Sequence, residues 1–177
     1  MLYDLFTHRH NFAVWTAARS VQRAFEGATT QNIRLAIEQS QLPAFTSVPT
    51  LNVSADRFDE LHRQWCGNLG IALGRLKVQD VTYGRLAKLI AVYLKTTIII
   101  GPGAYSPLGQ VAHPPIDNNL LINLAQAQGI DSPHQQNWRD INWTQLNEQG
   151  YYELVAQLRE IIPRELPFWM IEEYWII

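Results

Sequence analysis

The 177-residue chain has one cysteine, Cys66. No internal disulfide can form, and no cysteine quartet exists to hold an iron–sulfur cluster. Charge is also scarce. Asp, Glu, Lys and Arg make up 17% of the residues, and the formal net charge is −2. A balance so close to neutral supplies no global attraction to nucleic acid or to an anionic membrane. No apolar run approaches the ~20 residues of a membrane-crossing helix. No basic segment followed by a long apolar stretch opens the sequence, so no signal peptide is expected. These absences predict a cytoplasmic protein with no membrane partner. Internal repeats, low-complexity tracts and heptad arrays are missing too, which excludes a solenoid or a coiled coil. The glycines between Gly101 and Gly109 are not followed by Gly-Lys-Ser/Thr, so they do not form a Walker phosphate loop.

What is present is apolar and aromatic. Hydrophobic residues make up 47% of the chain, with 6 Trp and 7 Tyr. That is ample for one packed domain over residues 1–177. Charge is unevenly placed. Up to residue 100 there are 11 Lys/Arg against 7 Asp/Glu, and beyond it 3 against 9. The pattern predicts a basic N-terminal half and an acidic C-terminal one.

The periodicity is helical almost throughout. Val14, Ala17, Ala18, Val21 and Phe25 mark one face of a helix over His10–Glu26, with Arg19 and Arg23 on another side. His8, Arg9 and His10 add to that positive cluster, which is open to two uses, a solvated face or a phosphate-contacting arm. The two histidines alone do not make a metal site. Thr29 or Thr30 caps a second helix through about Gln39. A long uncharged loop is expected from Gln39 to Ala55, because Pro43 and Pro49 interrupt it. Ser54 starts a third helix, with Phe58, Leu61, Trp65 and Leu69 as its stripe. His62 and Cys66 are i, i+4 on it, too few ligands for a metal. Gly67, Gly70 and Gly74 either permit close packing or mark a break. A short strand at Leu76–Val81 is open. Later, Asn142 and Gln145 form a capping-box pattern. Gly150 divides that piece from a helix over Tyr151–Ile162. Pro167 precedes an apolar helix, Phe168–Trp175, which must be buried against this domain or against a second copy of the chain.

The chain is organised around Thr82–Ala125. Thr82–Lys95 is apolar around most of its circumference, which predicts a central buried helix. Its charges, Arg85, Lys88 and Lys95, are confined to one stripe. A glycine- and proline-rich loop follows, in which neither helix nor strand is expected. Then comes His113-Pro114-Pro115-Ile116-Asp117, with Asp117 as N-cap of the next helix. The residues permit two readings. Lys88 reaches solvent along its stem and Asp117 is only a cap. Alternatively the two converge on one cleft, where an amine and a carboxylate suit Schiff-base chemistry at a sugar carbon.

The order helix with Gly-x-x-x-Lys, loop, Pro-x-Asp, helix resembles the catalytic half of the helix-hairpin-helix DNA glycosylases. It is nearer to the compact archaeal type of 8-oxoguanine glycosylase. The resemblance covers residues 82–125. It implies an all-α fold, a DNA glycosylase or lyase activity on a damaged base, Lys88 as nucleophile and Asp117 as assisting carboxylate, with no cofactor. DNA is the implied partner. Arg85, Lys95, Arg19 and Arg23 are candidate phosphate contacts. Tyr83, His113 and Trp138 are candidates around the flipped base or the DNA. Gln79-Asp80-Val81-Thr82-Tyr83-Gly84 departs from the family's Leu-Pro-Gly-Val-Gly hairpin. Over its whole length the chain also resembles a widespread, uncharacterised bacterial family, through His10-Asn11-Phe12-Ala13, Tyr93-Leu94-Lys95, His113–Asp117 and Phe168-Trp169. The second reading of function is a non-catalytic helical module that binds protein or nucleic acid and retains this scaffold.

Overall fold

Helix α5, Tyr83–Leu94, is the element the others wrap. Leu86, Ala87, Leu89, Ile90, Ala91, Tyr93 and Leu94 are all buried, a pattern too broad for a helix with one wet face. The computed structural model describes residues 4–21, 24–46 and 52–176. Among them every regular element is helical, and one contiguous apolar cluster forms the core. Arg23 lies outside the described residues.

Helix α1, Leu5–Val21, packs on α5 through Ala13, Val14, Ala17 and Ala18, whose small side chains let the two backbones approach. It starts five residues before the expected His10. Two polar ties hold the pair in register. His10 Nδ1 is 2.8 Å from the Tyr93 hydroxyl, and the Thr16 and Thr96 hydroxyls are 3.0 Å apart. Helix α2, Thr30–Gln39, is capped by Thr29, whose hydroxyl accepts from Asn32 N–H.

The stretch expected to be a loop after Gln39 contains a helix, α3, Leu42–Thr46. Pro43 sits at its start, where a missing N–H costs nothing. Phe45 packs edge-on against Trp65 with centroids 5.1 Å apart, and that contact supports the turn. The expected loop's residues 47–51 lie outside the described ones.

Helix α4, Ala55–Arg75, is capped by Ser54 and runs unbroken through Gly67, Gly70 and Gly74. The strand considered at Leu76–Val81 does not form. Lys77 and Asp80 take left-handed backbone angles (φ 59° and 58°), which no extended strand accommodates.

Beyond α5 the helix widens for one turn, Lys95–Ile99, with Ile100 N–H bonding back to Lys95 C=O. The loop then contains a short helix, α6, Pro107–Val111, against the expectation of none. Ser106 caps it and Pro107 occupies its first turn, so the proline starts the helix rather than forbidding it. Gly109 is required there, since a Cβ would stand 2.2 Å from the Gly103 carbonyl oxygen.

Helix α7, Asn118–Gln126, begins at Asp117 as expected. Two 3₁₀ turns follow, Gln135–Asp140 and Trp143–Gln145. Asn142 makes no side-chain cap on the second, because its Oδ1 accepts from the Thr144 hydroxyl instead. Helix α8, Glu148–Arg159, is capped by Asn147, so Gly150 lies inside its first turn and divides nothing. The last segment, Phe168–Tyr174, is 3₁₀ rather than α. Phe168 and Ile171 are buried against the chain's own core.

The turn Trp143–Gln145 crosses the start of α5 at backbone contact. A Cβ on Gly84 would lie 1.9 Å from the Trp143 carbonyl oxygen. Gly84→Ala therefore forces that turn away and is expected to destabilise by more than ~2 kcal/mol, as overpacking does. Leu89→Ala, a cavity at a site with no exposure, is expected to cost ~2–5 kcal/mol. Urea melts of both variants check these values. A loss under ~1 kcal/mol for Leu89→Ala would contradict the central position of α5.

Candidate functional site

Lys88 lies one turn into α5 with its stem between buried neighbours, and Asp117 stands at the mouth of α7. The two meet. Lys88 Nζ is 2.9 Å from Asp117 Oδ2, with side-chain exposures of 14% and 13%. Asp117 Oδ1 meanwhile accepts from Leu120 N–H at 3.1 Å, so one carboxylate both caps α7 and pairs with the lysine. Two indoles enclose the pair. The Trp143 ring centroid is 4.6 Å from Nζ, within cation–π range. Trp175 Nε1–H donates to both Asp117 oxygens, at 3.1 and 3.2 Å. The crevice bounded by Gly84, Lys88, Ile116, Trp143, Leu146 and Tyr151 has no room for a water molecule.

The start of α5 is closed as well. Gly84 N–H donates to Leu146 C=O, and the Thr82 hydroxyl donates to Thr144 C=O. Both groups therefore bond within the chain.

The other residues singled out from the sequence are dispersed. Arg85 turns back to the Asp80 carbonyl at 2.6 Å. Lys95 pairs with Glu172, whose carboxyl burial pushes up and Lys95 pulls back down. Arg19 is exposed at the far end of α1. Tyr83 and His113 face inward, not toward solvent, and neither is placed to meet a nucleobase. Trp138 has no exposure, and its Nε1–H donates to Gln157.

His113 belongs to a second polar centre that periodicity did not reveal. Asp59 on α4 receives both terminal nitrogens of Arg159, at 2.9 and 2.8 Å, and lies 2.9 Å from His113 Nε2. His113 Nδ1 is 3.0 Å from the Tyr151 hydroxyl. The neutral tautomer with its proton on Nε2 satisfies both contacts, giving to Asp59 and accepting from Tyr151. Nearby, the Tyr152 hydroxyl donates to Asp59 C=O at 2.9 Å, so His62 Nδ1 must donate to Tyr152 at 3.0 Å. His62 Nε2 is then a buried acceptor with no partner among the described residues. The only advance signal was His62 four residues before Cys66. Asp59 and Arg159 are 100 positions apart, and no local pattern links them. Arg159 and Phe168 also line an open cavity of about 670 Å³.

Burial acts on Asp59, His113, His62 and Cys66. It raises the Asp59 carboxyl, but His113 and Arg159 outweigh it and hold the group well below the usual carboxylate range. Burial also lowers His113, which Asp59 opposes and Arg159 reinforces, to about 4. His62 is lowered well below its ordinary value by burial first and His113 second. The Cys66 thiol is pushed up by burial, which keeps it unreactive. Among the described residues no group of three or more His, Cys, Asp or Glu is arranged to hold a metal ion.

Comparison with protein-family models, curated proteins and solved structures returned no match. No described helix is long and apolar enough to cross a membrane.

The sign of the pH dependence follows from His113. Unfolded, it takes up a proton near 6.5, whereas folded it stays neutral down to about 4. The unfolded chain thus binds more protons between those values, and stability falls as pH falls through that window. His113 alone contributes a loss of about 3 kcal/mol, and His62 acts in the same direction. Asp59, with a depressed pKa, adds a further loss below pH ~4, as its unfolded form protonates. Urea melts between pH 7 and 4 are expected to show this decline, and His113→Gln to flatten it.

Proposed function

We propose that this is a DNA glycosylase or lyase acting on a damaged base, with Lys88 as nucleophile and Asp117 as its assisting carboxylate. The observation that carries this reading is the 2.9 Å approach of an amine on a buried helix to a carboxylate at a helix mouth, across 29 positions of sequence. Asp117 lies within reach to take a proton from the Lys88 ammonium. The neutral amine then attacks the deoxyribose C1′, the bond from C1′ to the base breaks, and the base departs with that proton. Opening of the sugar ring, with one Nζ proton passing to the ring oxygen O4′ as the C1′–O4′ bond breaks, yields a protonated imine between Nζ and C1′. Once the base has carried that proton away, Asp117 is a carboxylate again and its charge stabilises the cationic imine. In this reading Trp175 must leave Asp117 before a sugar can enter. A cytoplasmic setting accords with the free, buried Cys66.

Borohydride reduces such an imine to a stable amine. Incubation with DNA carrying an abasic site or oxidised guanine is expected to give a covalent adduct, and Lys88→Gln to abolish it. Asp117→Asn keeps the helix cap and is expected to slow base release by ~10²–10⁴-fold. Trp175→Ala is expected to speed trapping several-fold by opening the crevice. An adduct that survives loss of Lys88 would assign the chemistry to another amine.

One observation favours a second reading, a non-catalytic helical module that binds protein or nucleic acid. The crevice beside Lys88 is closed, and the Gly84 amide and Thr82 hydroxyl at the start of α5 are occupied. In that case the pair is a structural tie. No adduct forms with wild-type protein, and Lys88→Gln and Asp117→Asn act only on stability.

A further inference from the structure

The open cavity of about 670 Å³ beside Arg159 has the size of a small-molecule site. It lies between the end of α6, the first residue of α4 and the loop that leaves α8. It shares no lining residue with the crevice beside Lys88. Val111, Ile161, Ile162, Leu166 and Phe168 make most of its wall apolar. Its rim is set in advance. Leu166 N–H donates to Pro163 C=O at 2.9 Å, and Pro163 and Pro167 fix the backbone on either side. Three charged side chains line the cavity, Arg159, Glu160 and Arg164. The Arg159 guanidinium is held in place, because Asp59 takes both terminal nitrogens and the Phe168 ring centroid is 5.5 Å from Cζ. Its third contact, at 3.0 Å, joins Nη2 to His113 Nε2, so Nε–H has no acceptor among the described residues. The side chain is still 28% exposed. Asp59 offsets the charge of Arg159 at a distance, so Arg159 offers a positioned donor rather than a free charge. Arg164 supplies the free charge, since it is exposed and forms no ion pair among the described residues. Glu160 is the only anion on the wall, and it also lines a neighbouring cavity with Asp131. Asp56, Asp59 and Glu165 are close in sequence to lining residues but do not line the cavity.

We propose that this cavity binds a small organic acid, with its carboxylate received by Arg159 and Arg164 and its apolar body laid against Ile161, Leu166 and Phe168. A pocket with apolar walls and a few fixed polar groups takes a ligand of matching polarity. A neutral or cationic molecule of the same shape leaves the donors of both arginines unmet. One free cation suits a monoanion, whereas a phosphate dianion brings its second charge against Glu160. The inference does not rest on chemistry at Lys88, because binding alone suffices.

The test titrates the full-length protein with decanoate, decanol and decylammonium in a calorimeter. Decanoate is expected to bind at a single site, decanol about tenfold more weakly for want of the charge-assisted contact, and decylammonium more weakly still. Arg164→Gln is expected to weaken decanoate about threefold and Glu160→Gln to tighten it about twofold, the scale of charge pairs at exposed positions. Leu166→Ser is expected to weaken it about threefold through lost apolar contact. All three positions are exposed, and thermal melts matching the parent protein show that the fold is kept. Arg159→Gln is left out, because it strands the Asp59 carboxylate without its partner. Backbone amide shifts on adding decanoate are expected at residues 110–111 and 159–168. Absence of decanoate binding, decanol binding as tightly as decanoate, or amide shifts centred elsewhere overturns the inference. So does decanoate binding that is indifferent to both Arg164→Gln and Glu160→Gln.

Discussion

The Asp117 carboxylate joins three parts of the chain at one point. Its Oδ1 takes the Leu120 amide and holds the start of α7. Its Oδ2 takes the Lys88 ammonium from the middle of α5. Both oxygens accept the Trp175 indole from the C-terminal segment. A carboxylate offers about four acceptor sites, and these contacts use them. The ion pair sits at 14% and 13% exposure, where removing one partner leaves the other short of solvation. Truncating this one side chain would therefore release helix cap, ion pair and tail contact at once.

The two polar centres share a wall. Tyr151 borders the Lys88 crevice and bonds His113 on its other side. His113-Pro114-Pro115-Ile116-Asp117 then connects the centres along the chain. Two consecutive prolines restrict φ and stiffen that connection. A shift of His113 in its bonds to Asp59 and Tyr151 would be passed to Asp117 with little slack.

Much of this was readable in advance because it depends on local chemistry. The all-helical character, the burial of α5 and the caps at Thr29, Ser54 and Asp117 follow from periodicity and from residues with one favoured position, whereas the meeting of Lys88 with Asp117 was one of two readings the residues left open. The errors have a common cause. Pro43, Pro107 and Gly150 were read as breakers, yet each sits in a first helical turn, where the lost N–H or the missing side chain costs little. The inward placement of Tyr83 and His113 was also hidden. Nothing within α5 or the proline segment announces that Asp59 and Arg159, 100 positions apart, will supply the partners that let a histidine be buried. The Trp143 and Trp175 contacts likewise arise from tertiary approach alone.

The wrapping of α5 has a consequence for the order in which the molecule assembles. Its neighbours come from both directions along the chain, α1 from more than sixty residues before and the turn Trp143–Gln145 with α8 from some fifty to seventy after. Closing loops of that size costs chain entropy before any burial compensates it. A partly folded chain with α1, α4 and α5 docked still leaves the Gly84 side open, because the backbone that covers it has not arrived. In such a species the apolar surface around Lys88 is covered only when the C-terminal third of the chain docks.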